Sequence, residues 1–564
     1  VPDEAARPPA SDAAADAATE PGGAAAAARG LADELLAISF EESPTSASLL
    51  GYPGHDADLP DLRRESEEAL AGRYAGLAAR ASELDGAALP ETDRQTLEFV
   101  RHVAAASSAA TRLGEVEWTV TDLFVSPAAG LIDRLPQVPL NDEERLAAYR
   151  ERLSKVPAYL ETAAERHRAG VAAGRPPVAR LVALAVAHLD RVLGDPALAG
   201  IARPGAEDVA ERYVRPAFAV YRSAISDLLP AARNDDHPGL VHLPGGEDAY
   251  ATLAAYHGAG GSSAAELHAL GLEITGRLAE EYATIGRRAF GISERAAVFE
   301  RLRSDPALRY DSSEEMLEQA RAAVARAEAA APSWFGTVPE SACLVEPVPE
   351  ASAPGAPPAY YLPPALDGSR AGTYFLNTAS PKDRFRHTAE AYAFHEAVPG
   401  HHFQLVIAQQ MTGVPAARRL LHDTASAEGW GLYSERLADE MGLYADDISR
   451  LGMLTADSWR AGRLVVDTGL HALGWSRSRA VDWLASNTPL SPVDIETEVD
   501  RYIAMPGQAL SYMVGRLELQ RLRAESSARL GAGFDLRAFH DLVLGAGPLP
   551  LPVLRGVVER WAGA

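Results

Sequence analysis

From residue 31 onward the chain places apolar residues at three- and four-residue intervals, the spacing that lines one face of a helix. Segments 31–40, 96–100, 145–173, 212–229, 264–285 and 313–331 all carry this pattern. The breaks between them are short and marked by Pro and Gly, as at 51–54, 175–177, 203–205 and 243–246. The texture changes over 338–364, which is Pro-rich, poor in charge and without helical period. It leads into 360–362 and 372–378, where aromatic and β-branched residues predict short strands. Helical patterning resumes at His387 and runs to the end. The expected fold class is mainly α: large, helical and two-lobed, with a deep cleft and one small β-sheet at its wall. The expected organisation is a disordered leader over 1–30, an N-terminal helical lobe over 31–337, and a C-terminal catalytic lobe over 338–564 holding the sheet.

Composition narrows the function classes. An apolar share of 47% with 23% charged residues belongs to a globular protein. A net charge of −25 argues against nucleic acid as a partner, because phosphates need a basic surface. Only two lysines occur, Lys155 and Lys382, which reads as genomic base composition. The single cysteine, Cys343, excludes an intrachain disulfide and reads as an inert, partly buried thiol. No apolar run approaches the ~18 residues of a membrane span; the longest, 181–187, is flanked by Arg180 and His188. No membrane partner is expected. Residues 1–30 lack an apolar signal core, so the cytoplasm is the expected location, with export of a processed form left open.

The candidate chemistry sits at Phe394-His395-Glu396-Ala397-Val398-Pro399-Gly400-His401-His402, with Glu428-Gly429-Trp430 following 26 residues after His402. Neutral imidazoles and a carboxylate in so short a window supply the two nitrogens and one oxygen of a catalytic site for one zinc ion. The candidate ligands are His395, Glu428 and either His401 or His402. Glu396, directly after the first histidine, stands where His-Glu-x-x-His enzymes keep their general base. The spacing departs from that motif, in which the second histidine lies one helical turn on. Here His401 is at i+6, about 120° away on an ideal helix, and His402 is at i+7, about 10 Å along the axis. Pro399 cannot donate a backbone hydrogen bond and Gly400 opens further conformations, so a bulge or break is expected there. Either histidine can then return to the metal. Glu435, two turns beyond Glu428, is a candidate partner for a ligand histidine, while Trp430 and Tyr433 are expected to pack the core. His257 and His268 read as core or surface histidines.

Four blocks in this order carry a resemblance: His395–His402, Glu428-Gly-Trp-Gly-Leu-Tyr433, Asp467-Thr-Gly-Leu-His471 with Gly474-Trp475, and Pro506-Gly-Gln-Ala-Leu-Ser-Tyr512 with Gly515. Together they resemble the bacterial proteins of domain of unknown function 885, from about residue 31 to the C-terminus. More distantly the arrangement is similar to carboxypeptidase Taq, angiotensin-converting enzyme and dipeptidyl peptidase III, gluzincin-type helical zinc peptidases. The resemblance implies a metallopeptidase-like fold and zinc-dependent hydrolysis of amide bonds in short peptides or peptide-like substrates, by an exo- or oligopeptidase. Tyr512 resembles the tyrosine of the Tyr-x-x-Gly block in carboxypeptidase Taq and is a candidate oxyanion donor, as is His471. Arg463 and Arg501 are candidates to clamp a substrate carboxylate, and Tyr374 and Asn377 to flank the substrate if the strand before the metal helix pairs with it.

Rival classes lack their signatures. None of the fifteen histidines has Glu three residues before it, as a di-iron bundle requires. There is no Gly-x-Ser-x-Gly elbow, and neither lysine ends a phosphate-binding loop. Two alternatives keep the site: a non-catalytic metal- or peptide-binding protein, and a specialised amide or ester hydrolase.

Overall fold

Helical periodicity becomes helix over most of the chain. A computed structural model describes residues 21–350, 353, 357–366, 368 and 370–563. In the N-terminal half the helices are α1 (Pro21–Glu42), α2 (Arg64–Glu83), α3 (Glu91–Thr111), α4 (Glu143–Ala172), α5 (Ala179–Gly194), α6 (Arg215–Ser226), α7 (Ala264–Phe290) and α8 (Ser313–Ala330). Their ends follow local chemistry. The Asp142 side chain accepts from Arg145 N to start α4, and a Ser263/Glu266 capping box starts α7, which stops at left-handed Gly291. The leader expected over 1–30 needs correction. Residues 1–20 lie outside the described residues, and 21–30 belong to α1, where Ala28 is fully buried and Arg29 pairs with Asp93. The run of alanines that reads as low complexity is good helix former with a small face to bury.

The sheet has three strands, β1 (Leu344–Pro347), β2 (Ala359–Leu362) and β3 (Thr373–Leu376), in the order β1-β3-β2. β1 runs parallel to β3, with Val345 opposite Tyr374, and β2 runs antiparallel to it, with Tyr361 opposite Tyr374. The expected strands are present; β1 is an addition. Four residues ending in Pro347 make a weak strand signal inside a Pro-rich stretch, and such a strand survives as an edge.

Helices then continue as α9 (Ala389–Glu396), α10 (His401–Gln410), α11 (Thr424–Glu440), α12 (Asp447–His471), α13 (Pro492–Ala504) and α14 (Ser511–Leu530). α12 is the central rod. Over 451–470 only Trp459 is not fully buried, so its polar residues Arg460, Arg463 and Asp467 point into the protein. α11 and α14 touch backbone to backbone: a Cβ on Gly429 would lie 2.5 Å from the Gly515 Cα. The largest apolar core joins Ala28, Phe99, Phe335, Trp430, Leu519 and Val558, so packing mixes both sides of residue 337. A second core lies within 120–228. No helix among the described residues is long and apolar enough to cross a membrane.

Candidate metal centre

The interrupted motif is a helix break. α9 ends at Glu396, Ala397 leaves the helical region (φ −102°, ψ −104°), the Val398–Pro399 peptide is cis, and a new helix starts at His401. Gly400 sits where no other residue fits, since a Cβ there would lie 1.8 Å from the His395 carbonyl oxygen. α11 fastens the break: Trp430 Nε1 donates to the Pro399 carbonyl at 2.9 Å, and Ser434 Oγ reaches it at 3.4 Å. With the chain folded back on itself, helical arithmetic between His395 and the later histidines no longer applies.

The break brings His395, His401 and Glu428 together, with one donor atom from each within 4.8 Å of the others. Glu428 Oε2 is 3.4 Å from His395 Nε2 and 3.6 Å from His401 Nε2. Tetrahedral zinc with ~2.0–2.2 Å bonds would set its donors ~3.3–3.6 Å apart, so these separations fit a cation held among the three. Glu435 Oε1 lies 2.8 Å from His395 Nδ1 and accepts its proton, which leaves Nε2 facing the centre. Gly431 provides the space, because a Cβ there would come within 2.7 Å of the His395 ring.

Electrostatics hold Glu428 as a carboxylate and His395 as a cation. Burial works against ionising Glu428, yet hydrogen bonds and charge from His395 and His401 outweigh it and hold the carboxyl well below its usual range. Burial likewise opposes a charged His395, but Glu428, Glu435 and Glu396 together raise it to about 10. The carboxylates around His395 therefore favour a positive charge at its ring.

The other expected site residues divide. Glu396 is half-buried at the end of α9, beside His395 and near enough to Tyr374 to influence its phenol. The Tyr512 ring stacks 6.4 Å from the His395 ring. His402 is not: its Nε2 donates to the Ser341 carbonyl at 2.8 Å and its Nδ1 accepts from Tyr361 OH at 2.9 Å. Both nitrogens are occupied, and His402 fastens α10 to β2. His471 is also corrected, being fully buried, with Nδ1 accepting from Leu240 N at 3.2 Å and Nε2 donating to the Tyr502 carbonyl at 2.9 Å. It cannot reach an oxyanion. Asn377 is 1% exposed and bonds the Ala353 carbonyl and Ala379 N, so it shapes the strand exit and does not face a substrate. Tyr374 lies on the central strand, which is paired on both sides, and is fully buried with no partner for its hydroxyl. Any substrate strand would have to join β1 or β2.

Arg463 and Arg501 lie beside Tyr512 and share Glu498. Arg463 Nη2 donates to Glu498 at 2.8 Å, Arg501 pairs with it at 3.5 Å, and Arg501 Nη2 is 3.4 Å from Tyr512 OH. Sequence reasoning passed over Arg460, one turn before Arg463 on α12, whose guanidinium is 5.7 Å from the Tyr512 ring centre. The signal was present as Arg-x-x-Arg in the middle of a helix that is buried along most of its length. Elsewhere the expectations for bystanders hold: Trp430 and Tyr433 are in the core, His268 bonds Thr468, and burial pushes the Cys343 thiol up to about 12.

Comparisons place this geometry among known proteins. No curated protein matches the chain significantly. A solved structure from Colwellia psychrerythraea, described as a "putative lipoprotein", superposes with a TM-score of 0.88 at 25% identity, over 95% of this chain and 99% of that one. A second, from Shewanella oneidensis and described as a "putative lipoprotein of unknown function", gives 0.73 at 18% identity, over 93% and 98%; it shares the fold. The four sequence blocks and the centre they build fall inside the matched region of one family, and the chain belongs to it: Bacterial protein of unknown function (DUF885), matched over residues 44–558.

Proposed function

We propose that this protein is a zinc-dependent hydrolase of amide bonds in short peptides or peptide-like substrates. The observation that carries the reading is the convergence of His395, His401 and Glu428, with Glu428 Oε2 3.4 and 3.6 Å from the two imidazole Nε2 atoms and Glu396 next to His395 in the chain. His395, His401 and Glu428 would hold the ion. Bound there, zinc would lower the pKa of water toward ~7 and polarise the scissile carbonyl.

The protein's own residues do the rest. Glu396 takes a proton from the attacking water and passes it to the leaving amine, a role that typically contributes ~100- to 10,000-fold. Tyr512, beside His395, donates its phenol to the developing oxyanion. Glu435 keeps the His395 ring turned so that Nε2 stays inward. A deep cleft between helical lobes belongs to this proposal; it would admit chain ends and flexible peptides and exclude folded proteins. The two solved relatives are described as lipoproteins, which favours an exported, membrane-anchored setting over the cytoplasm for such peptides. The test is a peptide library incubated with zinc-loaded wild type and Glu396→Gln. Cleavage by wild type alone is expected; no cleavage by either, or equal cleavage by both, overturns the proposal.

A further inference from the structure

Seven arginines are buried: Arg152, Arg166, Arg418, Arg460, Arg463, Arg477 and Arg516. Six donate hydrogen bonds to carboxylates, carbonyls or side-chain oxygens. Arg460 is the exception. It is 5% exposed and stacks on the Trp459 ring at 4.0 Å, and among the described residues it forms no ion pair and its buried Nε and Nη1 have no hydrogen-bond partner. A buried guanidinium with unmade hydrogen bonds is costly, and such groups persist where a ligand completes them.

The surroundings raise the demand for an anion. Arg460, Arg463 and Arg501 all approach Tyr512, at 5.7 Å and 4.3 Å from the ring and 3.4 Å from the hydroxyl. One carboxylate, Glu498, answers them, and it is already taken by Arg463, Arg501 and the Trp459 indole. Glu435 and Asp494, which lie with Arg460 around Tyr392, have partners of their own. Glu435 is bound to His395, and Asp494 accepts from Ser491 at the start of α13. Three guanidinium charges thus share one directly paired carboxylate, one aromatic ring away from His395.

Resting on the hydrolase reading above, we propose that Arg460, with Arg463 and Arg501 around Tyr512, seats the α-carboxylate of the substrate's C-terminal residue, so that the enzyme cuts near that end. The two ring distances bound the Arg460-to-His395 separation at about 12 Å. At ~3.3 Å per extended residue this leaves room for at most three residues beyond the scissile bond. An acidic side chain offers the same chemistry and is separated in the test.

The experiment is calorimetric titration of the metal-free protein with N-acetyl-Ala-Phe, its C-terminal amide, and N-acetyl-Glu-Phe amide, alongside turnover of the zinc-loaded enzyme. The free acid should bind about 10- to 100-fold tighter than its amide, the scale of charged hydrogen bonds. Arg460→Met should erase that difference while leaving zinc content and amide binding unchanged, and Arg460→Lys should restore part of it. Equal binding of acid and amide by wild type overturns the seat. Binding of the glutamate-containing amide as tightly as the acid overturns its assignment to the chain end. Preference for the acid without any turnover would sink the hydrolase reading alone, and turnover without that preference would sink the carboxylate seat alone.

Discussion

Glu435 Oε1 accepts from His395 Nδ1 at 2.8 Å, and through that one hydrogen bond it decides which nitrogen of the histidine faces Glu428 and His401. Both groups are buried, so neither has water as an alternative partner. Glu435→Gln should therefore lower zinc affinity about 10- to 100-fold, the usual effect of losing an outer partner of a ligand histidine. Competition with a chromophoric chelator measures this; unchanged affinity would mean that the ring is held in place by packing.

His401 and His402 are adjacent in sequence and opposite in role. His401→Ala should reduce bound zinc to a small fraction of an equivalent. His402→Ala should retain zinc and lower the melting temperature instead, because it frees Ser341 and Tyr361 from α10. Elemental analysis and thermal melts on the same two samples separate the outcomes.

Gly431→Ala tests whether space for the His395 ring is the reason for glycine in the Glu428-Gly-Trp-Gly block. The added methyl would meet that ring at 2.7 Å, and overpacking of this kind costs about 1–3 kcal/mol. Zinc binding should fall with stability, in contrast to a surface alanine substitution on the same helix.

Without metal, the charge pair has a defined pH signature. His395 is raised from 6.5 to about 10, so its contribution is fully present below pH 6.5 and is lost as pH rises through 10. Glu428 is held below 4.5, so its contribution is present above pH 4.5 and is lost as pH falls further. The difference in melting temperature between metal-free wild type and His395→Gln should thus be largest between pH 4.5 and 6.5 and shrink toward pH 10. A difference that stays constant over that range would show that packing, not charge, dominates at this histidine.

Tyr512→Phe removes the phenol while keeping the ring against His395 and Arg463. Under the proposed mechanism kcat should drop roughly 100- to 1,000-fold, with zinc content unchanged. A change confined to KM would move the hydroxyl from the oxyanion to substrate binding.

The helices were legible because apolar spacing acts locally, and 145–173 and 264–285 differ little from α4 and α7. The strand at Leu344 was not, since four residues carry no period and its pairing with Thr373 is a long-range contact. His395, Glu428 and Glu435 could be read from helical faces. The choice between His401 and His402 could not, because the break at Ala397–Gly400 resets the geometry on which spacing depends. His471 and Asn377 misled for a different reason: polar residues next to a candidate site look functional until their backbone partners, such as Tyr502 and Ala353, are seen. Arg460 shows the reverse, a residue whose significance lies in the partner it lacks.

The meeting of Gly429 and Gly515 gives the centre a fixed gauge. Glu428 and Tyr512 stand on two helices whose separation is the thickness of two main chains, so no side-chain choice at the joint sets the distance between ligand and phenol. In the hydrolase proposed above, adjustment to differently sized substrates would then fall to elements outside this joint. The joint acts as the stationary jaw of a vice, one that a single methyl group at either glycine would force open.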